Sequence, residues 1–338
     1  MKLLYVSCHA ILEYDEVKLF DELGFDVFST GVYANPNFRE GMSRPGIPGL
    51  THYPELERLA STFISSGHDL DQGLIDWADV IVFMHLPEAL EKNWPKMKGK
   101  RVVFRSIGQC VAHQERILEK LRKEGLQIVR YSPKEEKLPN YAGADAIIRF
   151  YKDPAEYRGW RGGTRKLLNI TQSIIERAGY VQLAQVNQIA DGLELDIYGN
   201  GNQGNEDPGK NIGLGPVSYE AQLDLYKQYR AYLYGGTWPA PYTLSFIEAF
   251  MSGIPVIAVG KKFVEGGRGL EFYELHDIIQ DNFNGFVSDD IDYLNRAAKL
   301  LVNDYDKAIR VGLNGRRRAI ELFGKDTISN QWRAFYEI

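Results

Sequence analysis

Apolar and polar positions in the first half of the chain alternate between two periods. Short apolar runs at Leu3–Ser7, Phe25–Ser29, Val80–Met84, Arg101–Ile107, Gln127–Tyr131 and Ala146–Phe150 predict β-strands. Between them, three-to-four spacing of apolar residues predicts helices over Tyr14–Leu23, Pro54–Phe63, Glu88–Met97 and His113–Glu124. Short buried strands separated by amphipathic helices imply a parallel sheet covered on both faces, which is a doubly wound α/β domain. The pattern breaks at the glycine-rich stretch Tyr157–Thr164, the predicted boundary. A second cycle follows, with strands over Lys166–Ile170, Leu193–Tyr198, Ala231–Tyr234 and Pro255–Val259. Its helices are expected over Ser173–Ile189, Tyr219–Gln228, Leu244–Met251, Asp292–Asn303, Lys307–Leu322 and Thr327–Tyr336. For 338 residues two Rossmann-like domains are the natural division. The expected domains are 1–160 and 161–322, with 323–338 a last helical segment.

The most informative stretch is Tyr242–Ala258. Thr243 stands where an N-cap belongs, Leu244, Ile247 and Met251 recur at helical spacing, and Gly253-Ile254-Pro255 ends the helix before a β-branched run. A helix start of this kind points unpaired N–H groups outward and attracts phosphate. Glu248 lies about one turn further in, where a carboxylate can take two hydroxyls of a ribose. A diphosphate beside a ribose describes a sugar nucleotide.

The same stretch resembles the nucleotide-sugar motif of retaining glycosyltransferases of the GT-B fold, written E-G-F-G-L-x-x-x-E-A-x-x-x-G-x-P-V. Leu244, Glu248, Ala249, Gly253, Pro255 and Val256 match, while Ala240 stands at the first Glu and Pro241 and Thr243 at the two glycines. The resemblance implies two doubly wound domains facing each other across a cleft, with the helix of 323–338 crossing back to the first domain and with Tyr242, Thr243, Leu244 and Glu248 binding the donor. Gly199 and Gly201, after the run Leu195–Tyr198, resemble the G-x-G by which that family lets its backbone approach the nucleotide. The family's paired cations on the diphosphate fall here on Gln172 and Arg177, so Arg177 is expected to stabilise the leaving group. Lys166, Arg165 or a residue of the first domain is a candidate to complete the charge balance. Asn284-Gly285-Phe286-Val287 resembles a turn after the nucleotide site.

In the first domain, His85 follows the run Asp79–Met84 at the strand edge where open α/β sheets bind ligands. The resemblance gives it a place beside the reacting sugar, as hydrogen-bond donor or base toward an acceptor hydroxyl. Arg105, Ser106 and Gln109 arrive at the same edge and are expected acceptor or phosphate contacts.

Composition narrows the context. Apolar content of 44% and charged content of 25% are those of a globular protein, and no apolar run reaches the ~20 residues that span a bilayer. With only Cys8 and Cys110, a reduced cytoplasmic protein with both thiols in its core is expected. Residues 86–160 hold 16 Lys and Arg against 10 Asp and Glu in an otherwise acidic chain, which permits an anionic acceptor such as a glycan precursor or nucleic acid. The acidic pairs Asp289-Asp290 and Glu135-Glu136 lie in polar turns, and no metal or cofactor is expected. The expected function is transfer of a sugar from a nucleoside diphosphate to a hydroxyl. A nucleotide-sugar epimerase or hydrolase, and a non-catalytic nucleotide-sugar binder, are the alternatives.

Overall fold

The computed structural model of the protein describes residues 1–31, 44–108, 111–172, 174–199, 214–266, 268 and 271–338, with the backbone alone over 175–181. The chain forms two compact units, one of Met1–Tyr151 with Ile328–Ile338, the other of Lys152–Thr327. The glycine-rich stretch Tyr157–Thr164 thus lies inside the second unit.

The first unit holds the strands β1 (Lys2–Val6), β2 (Asp26–Ser29), β3 (Val80–Met84), β4 (Arg101–Arg105), β5 (Gln127–Arg130) and β6 (Ala146–Ile147), in the order β2-β1-β3-β4-β5-β6. All neighbours are parallel, with Tyr5 opposite Val82 and Val82 opposite Val103. Val-Ile-Val-Phe-Met of β3 is wholly buried because helices cover both faces, which is why it reads as an unbroken apolar run. Leu4, Ile81, Phe83, Phe104, Leu118 and Ile128 form the centre of the core. The first helix is longer than its apolar pattern, covering Ala10–Glu22, because the His9 ring accepts the N–H of Leu12 and buried acids occupy its inner face.

The last helix, Lys325–Tyr336, seats its final turns on this unit. Trp332 is fully buried, edge-on to Phe20 at 4.9 Å and stacked with Tyr336 at 5.6 Å.

The second unit holds β7 (Thr164–Ile170), β8 (Leu195–Tyr198), β9 (Tyr229–Tyr234), β10 (Val256–Val259) and β11 (Phe286–Ser288), ordered β11-β10-β9-β7-β8 and all parallel. The sequence pattern missed β11, whose three residues are too few to show a period. The expected turn Asn284–Val287 runs directly into it, with Asn284 Oδ1 accepting the N–H of Gln280 at 2.8 Å.

The helix Leu244–Ser252 lies between β9 and β10 and ends on Gly253 at φ +87°, a left-handed cap that glycine adopts without penalty. It packs against the helix Tyr305–Phe323, where Gly312 is so close that a Cβ there would overlap the Gly253 carbonyl. Arg316 from the same helix donates to the Met251 carbonyl, placing a cation at the negative end of Leu244–Ser252, and to Pro154 O at 2.8 Å.

Candidate functional site

In the second unit the start of Leu244–Ser252 sits in the loop that leaves the carboxyl end of β9. Thr243 is the N-cap by its extended backbone, φ −123° and ψ 167°, but its side chain does not close the helix. Its hydroxyl instead meets that of Ser245 at 3.1 Å. Thr243, Leu244 and Ser245 are all half-buried, so two hydroxyls and first-turn amides share one tip. Tyr242 is buried against Phe323 at 5.4 Å and supports the turn rather than facing a ligand.

Below the tip the structure corrects the expectation for Glu248. Its residue is 2% exposed and both carboxylate oxygens are held by protein. Oε1 pairs with Lys152 Nζ at 2.6 Å and accepts Tyr157 OH at 3.2 Å, while Oε2 accepts Gln222 Nε2 at 2.5 Å and Tyr226 OH at 3.5 Å. Lys152 is itself fully buried, and its N–H donates to Phe323 O at 3.0 Å. A carboxylate so engaged is a structural anchor for the helix, not an open grip on a pentose. The sequence could not reveal this because the motif identifies the carboxylate and says nothing of Lys152.

The other second-unit candidates are partly placed. Gly199 follows β8 with its N–H on Gly215 O at 2.8 Å, and its φ of +146° suits glycine. Gly201 lies outside the described residues. Gln172 is exposed after β7, and Arg177 falls in the first turn of the helix Ile174–Ile189, its side chain outside the description. Lys166 and Arg165 do not complete a charge balance at this edge. They sit at the amino end of β7, where Lys166 pairs with Glu194 at 2.8 Å and Arg165 donates to Asn303 at 2.8 Å.

In the first unit His85 stands directly after β3, half-buried and with φ +55°, and the next residue, Leu86, is also left-handed at φ +57°. Two such residues in succession cost roughly 1–2 kcal/mol each, a strain of the sort that accumulates at working sites. The His85 N–H donates to Arg105 O at 2.9 Å, which holds the turn. Burial lowers the imidazole below its ordinary value of 6.5, opposed by a smaller pull from Glu88. A neutral ring can accept a proton or a hydrogen bond.

Arg105 and Ser106 are corrected to interior roles. Arg105 is fully buried, its Nε on Glu16 Oε1 at 2.7 Å and its guanidinium 5.2 Å from the Phe150 ring. Ser106 is fully buried and donates to Glu135 Oε1 at 2.8 Å. Gln109 and Cys110 lie outside the described residues, and Cys8 is exposed rather than in the core, its thiol donating to Met84 O at 3.3 Å.

The basic segment is also less of a surface than its composition suggests. Arg105, Arg130 and Lys152 are buried, with Arg130 clamping Glu115 through two bonds of 2.8 and 2.7 Å. The acidic pairs have backbone duties: Asp289 accepts Lys262 N at 2.8 Å, Asp290 caps the helix Ile291–Asn303, and Glu135 accepts Tyr131 N at 2.9 Å. A cavity of about 910 Å³ in the second unit includes Asp191, Asp289, Asp290 and Asp292 in its lining. That charge opposes a diphosphate there.

No protein-family model matches the chain, and no curated protein matches it by sequence. Solved structures do match its fold over its whole length. The Anabaena protein Alr3699/HepE in complex with UDP-glucose superposes with a TM-score of 0.71 at 13% identity, covering 100% of both chains. Sucrose-phosphate synthase from Thermosynechococcus elongatus gives 0.69 at 14% identity, covering 100% of this chain and 98% of its own. A glycosyltransferase from Rickettsia africae gives 0.67 at 11% identity, covering 99% and 97%. Two parallel sheets, each wound with helices, together with these full-length likenesses make the fold of the chain GT-B.

Proposed function

We propose that the protein is a glycosyltransferase that moves a sugar from a nucleoside-diphosphate donor to a hydroxyl acceptor, with retention and without a divalent cation. The observation that carries the reading is the tip of Leu244–Ser252, not closed by its N-cap side chain and lying at the carboxyl edge of a GT-B unit whose solved likenesses include one holding UDP-glucose. Fold alone does not fix activity, so the weight rests on the tip. Its amides and the Thr243 and Ser245 hydroxyls receive the diphosphate, and the helix dipole stabilises charge that grows as the sugar leaves. Arg177, one turn into the helix after β7, adds a cation to the leaving group. In the transfer the bond from the anomeric carbon to the diphosphate oxygen breaks and a bond to the acceptor oxygen forms. His85, neutral at pH 7, serves the acceptor side by taking that hydroxyl's proton as the new bond forms. Glu248 keeps the helix in place from within, and the protein works in the cytoplasm.

The test has two steps. Thermal shift with UDP-, GDP- and ADP-sugars identifies the donor, and mass spectrometry with hydroxyl acceptors then detects the product. Thr243→Asp, which sets a carboxylate against the diphosphate, is expected to weaken donor binding about tenfold or more, a loss of ~1.4 kcal/mol. Unchanged binding in that variant removes the helix tip from the reading. A second reading, donor binding without transfer, is favoured by Ala240 at the first motif position and by the engagement of Glu248. Donor binding with no product from any acceptor selects it, and donor turnover without acceptor selects a hydrolase or epimerase.

A further inference from the structure

The loop between β9 and Leu244–Ser252 also walls a cavity of about 360 Å³, whose lining includes Gln182, Gln185, Trp238, Val264 and Arg268. It stands at the carboxyl edge of the sheet, because Gly235–Trp238 leave β9 and Phe263–Arg268 follow β10. Two glycines keep it open. A Cβ on Gly235 would come within 2.7 Å of the Gln182 amide nitrogen, and one on Gly236, at φ +73°, would collide with Val264. Gln182 is 6% exposed and its Nε2 donates to Gly236 O at 2.5 Å, which fixes the amide at the wall. Trp238 is half-buried, edge-on to Phe272 at 6.1 Å, with the Arg268 guanidinium 4.8 Å from its ring.

An aromatic wall, two primary amides and one guanidinium form a set suited to a saccharide ring. The C–H face lies on the aromatic surface and hydroxyls meet the amides. Charge then discriminates among sugars. Arg268 is the sole charged residue among the described lining residues, and the loop 235–243 carries no charged side chain. A neutral hexose leaves the guanidinium with its bond to Glu265 O at 3.0 Å, whereas a ring carboxylate adds a charge-assisted pair in a partly enclosed space.

We propose that this cavity receives the sugar moiety of the donor and selects a hexuronate over a neutral hexose. The inference rests on the nucleotide-sugar reading, since the cavity lies along the same loop as Thr243.

Calorimetric titration of the full chain with UDP, UDP-glucose and UDP-glucuronate tests it. The expected result is UDP-glucuronate binding at least about tenfold tighter than UDP-glucose. Arg268→Gln should abolish that ratio and leave UDP itself unchanged, and Trp238→Ala should weaken both sugar nucleotides relative to UDP, with melting temperature confirming that each variant is folded. Equal affinity for the two sugars in the natural chain, or a ratio that survives Arg268→Gln, overturns the hexuronate inference and leaves the nucleotide reading standing. If GDP or ADP binds in place of UDP, the same comparison is made between its glucose and glucuronate forms, and failure of all three nucleotides to bind overturns the reading and the inference with it.

Discussion

Lys152 Nζ lies 2.6 Å from Glu248 Oε1, with the lysine fully buried and the glutamate nearly so. The pair ties the second turn of Leu244–Ser252 to the first residue of the second unit, where the Lys152 backbone also pairs with Gly324. Burying two charges is expensive, and the arrangement is sustained because Tyr157, Gln222 and Tyr226 supply further hydrogen bonds.

Removing one partner leaves the other charged in the interior. Lys152→Met is therefore expected to lower unfolding stability by about 3–5 kcal/mol, measured by urea denaturation. Lys152→Met combined with Glu248→Met should recover most of the loss, because both charges then leave together. A single variant as stable as the natural protein would show that the pair is not formed in solution.

How far the sequence carried depends on range. The doubly wound α/β class was legible because runs such as Val80–Met84 are buried on both faces and declare themselves apolar without reference to a partner. The helix tip at Thr243 was legible for a similar reason: capping and the Gly253 stop are local. The partners were not legible. Lys152 is 96 positions from Glu248, and Glu16 is 89 positions from Arg105. An arginine at a strand end looks like a ligand contact until the acid opposite it is known. One signal was available: Glu13, Asp15 and Glu16 fall within a short segment whose apolar neighbours are all buried, and acids so placed need a buried partner.

His85 carries a pH prediction with a definite sign. Burial holds its folded value below 6.5, so between that lowered value and 6.5 the unfolded chain binds a proton that the folded protein refuses. The resulting stability is present above pH 6.5 and is lost as pH falls through that window. His85→Gln should flatten this acid slope in denaturation midpoints taken from pH 7.5 to 5. An NMR titration of the ring should give a midpoint below 6.5, and a midpoint above it contradicts the assignment.

Gly312 sets how closely the helix Tyr305–Phe323 approaches Leu244–Ser252. A methyl group there meets the Gly253 carbonyl, which is backbone and cannot rotate aside, so the helices must separate. Gly312→Ala is expected to cost about 1–3 kcal/mol despite alanine's better helix propensity. Because the displaced element carries Thr243 and Ser245, donor affinity should fall with it. Gly24→Ala, where no atom lies near the new methyl, is a useful contrast: its penalty comes only from φ +86° and should leave donor affinity alone.

Trp332 tests the anchoring of the last helix to the first unit. Its indole is fully buried among Phe20 at 4.9 Å, Phe335 at 5.8 Å and Tyr336 at 5.6 Å, with the Arg105 guanidinium 5.5 Å from its ring. Trp332→Ala removes the largest side chain of this cluster and leaves Arg105 without one of its two aromatic faces, the other being Phe150. The expected loss is about 3–5 kcal/mol. Arg333→Ala, on the exposed side of the same helix, should change stability by less than about 0.5 kcal/mol. Limited proteolysis distinguishes the outcomes: if the indole pins the helix, the Trp332→Ala chain is cut within Lys325–Tyr336 while the Arg333→Ala chain resists. Equal resistance in both would mean that the helix is held by contacts other than this aromatic cluster.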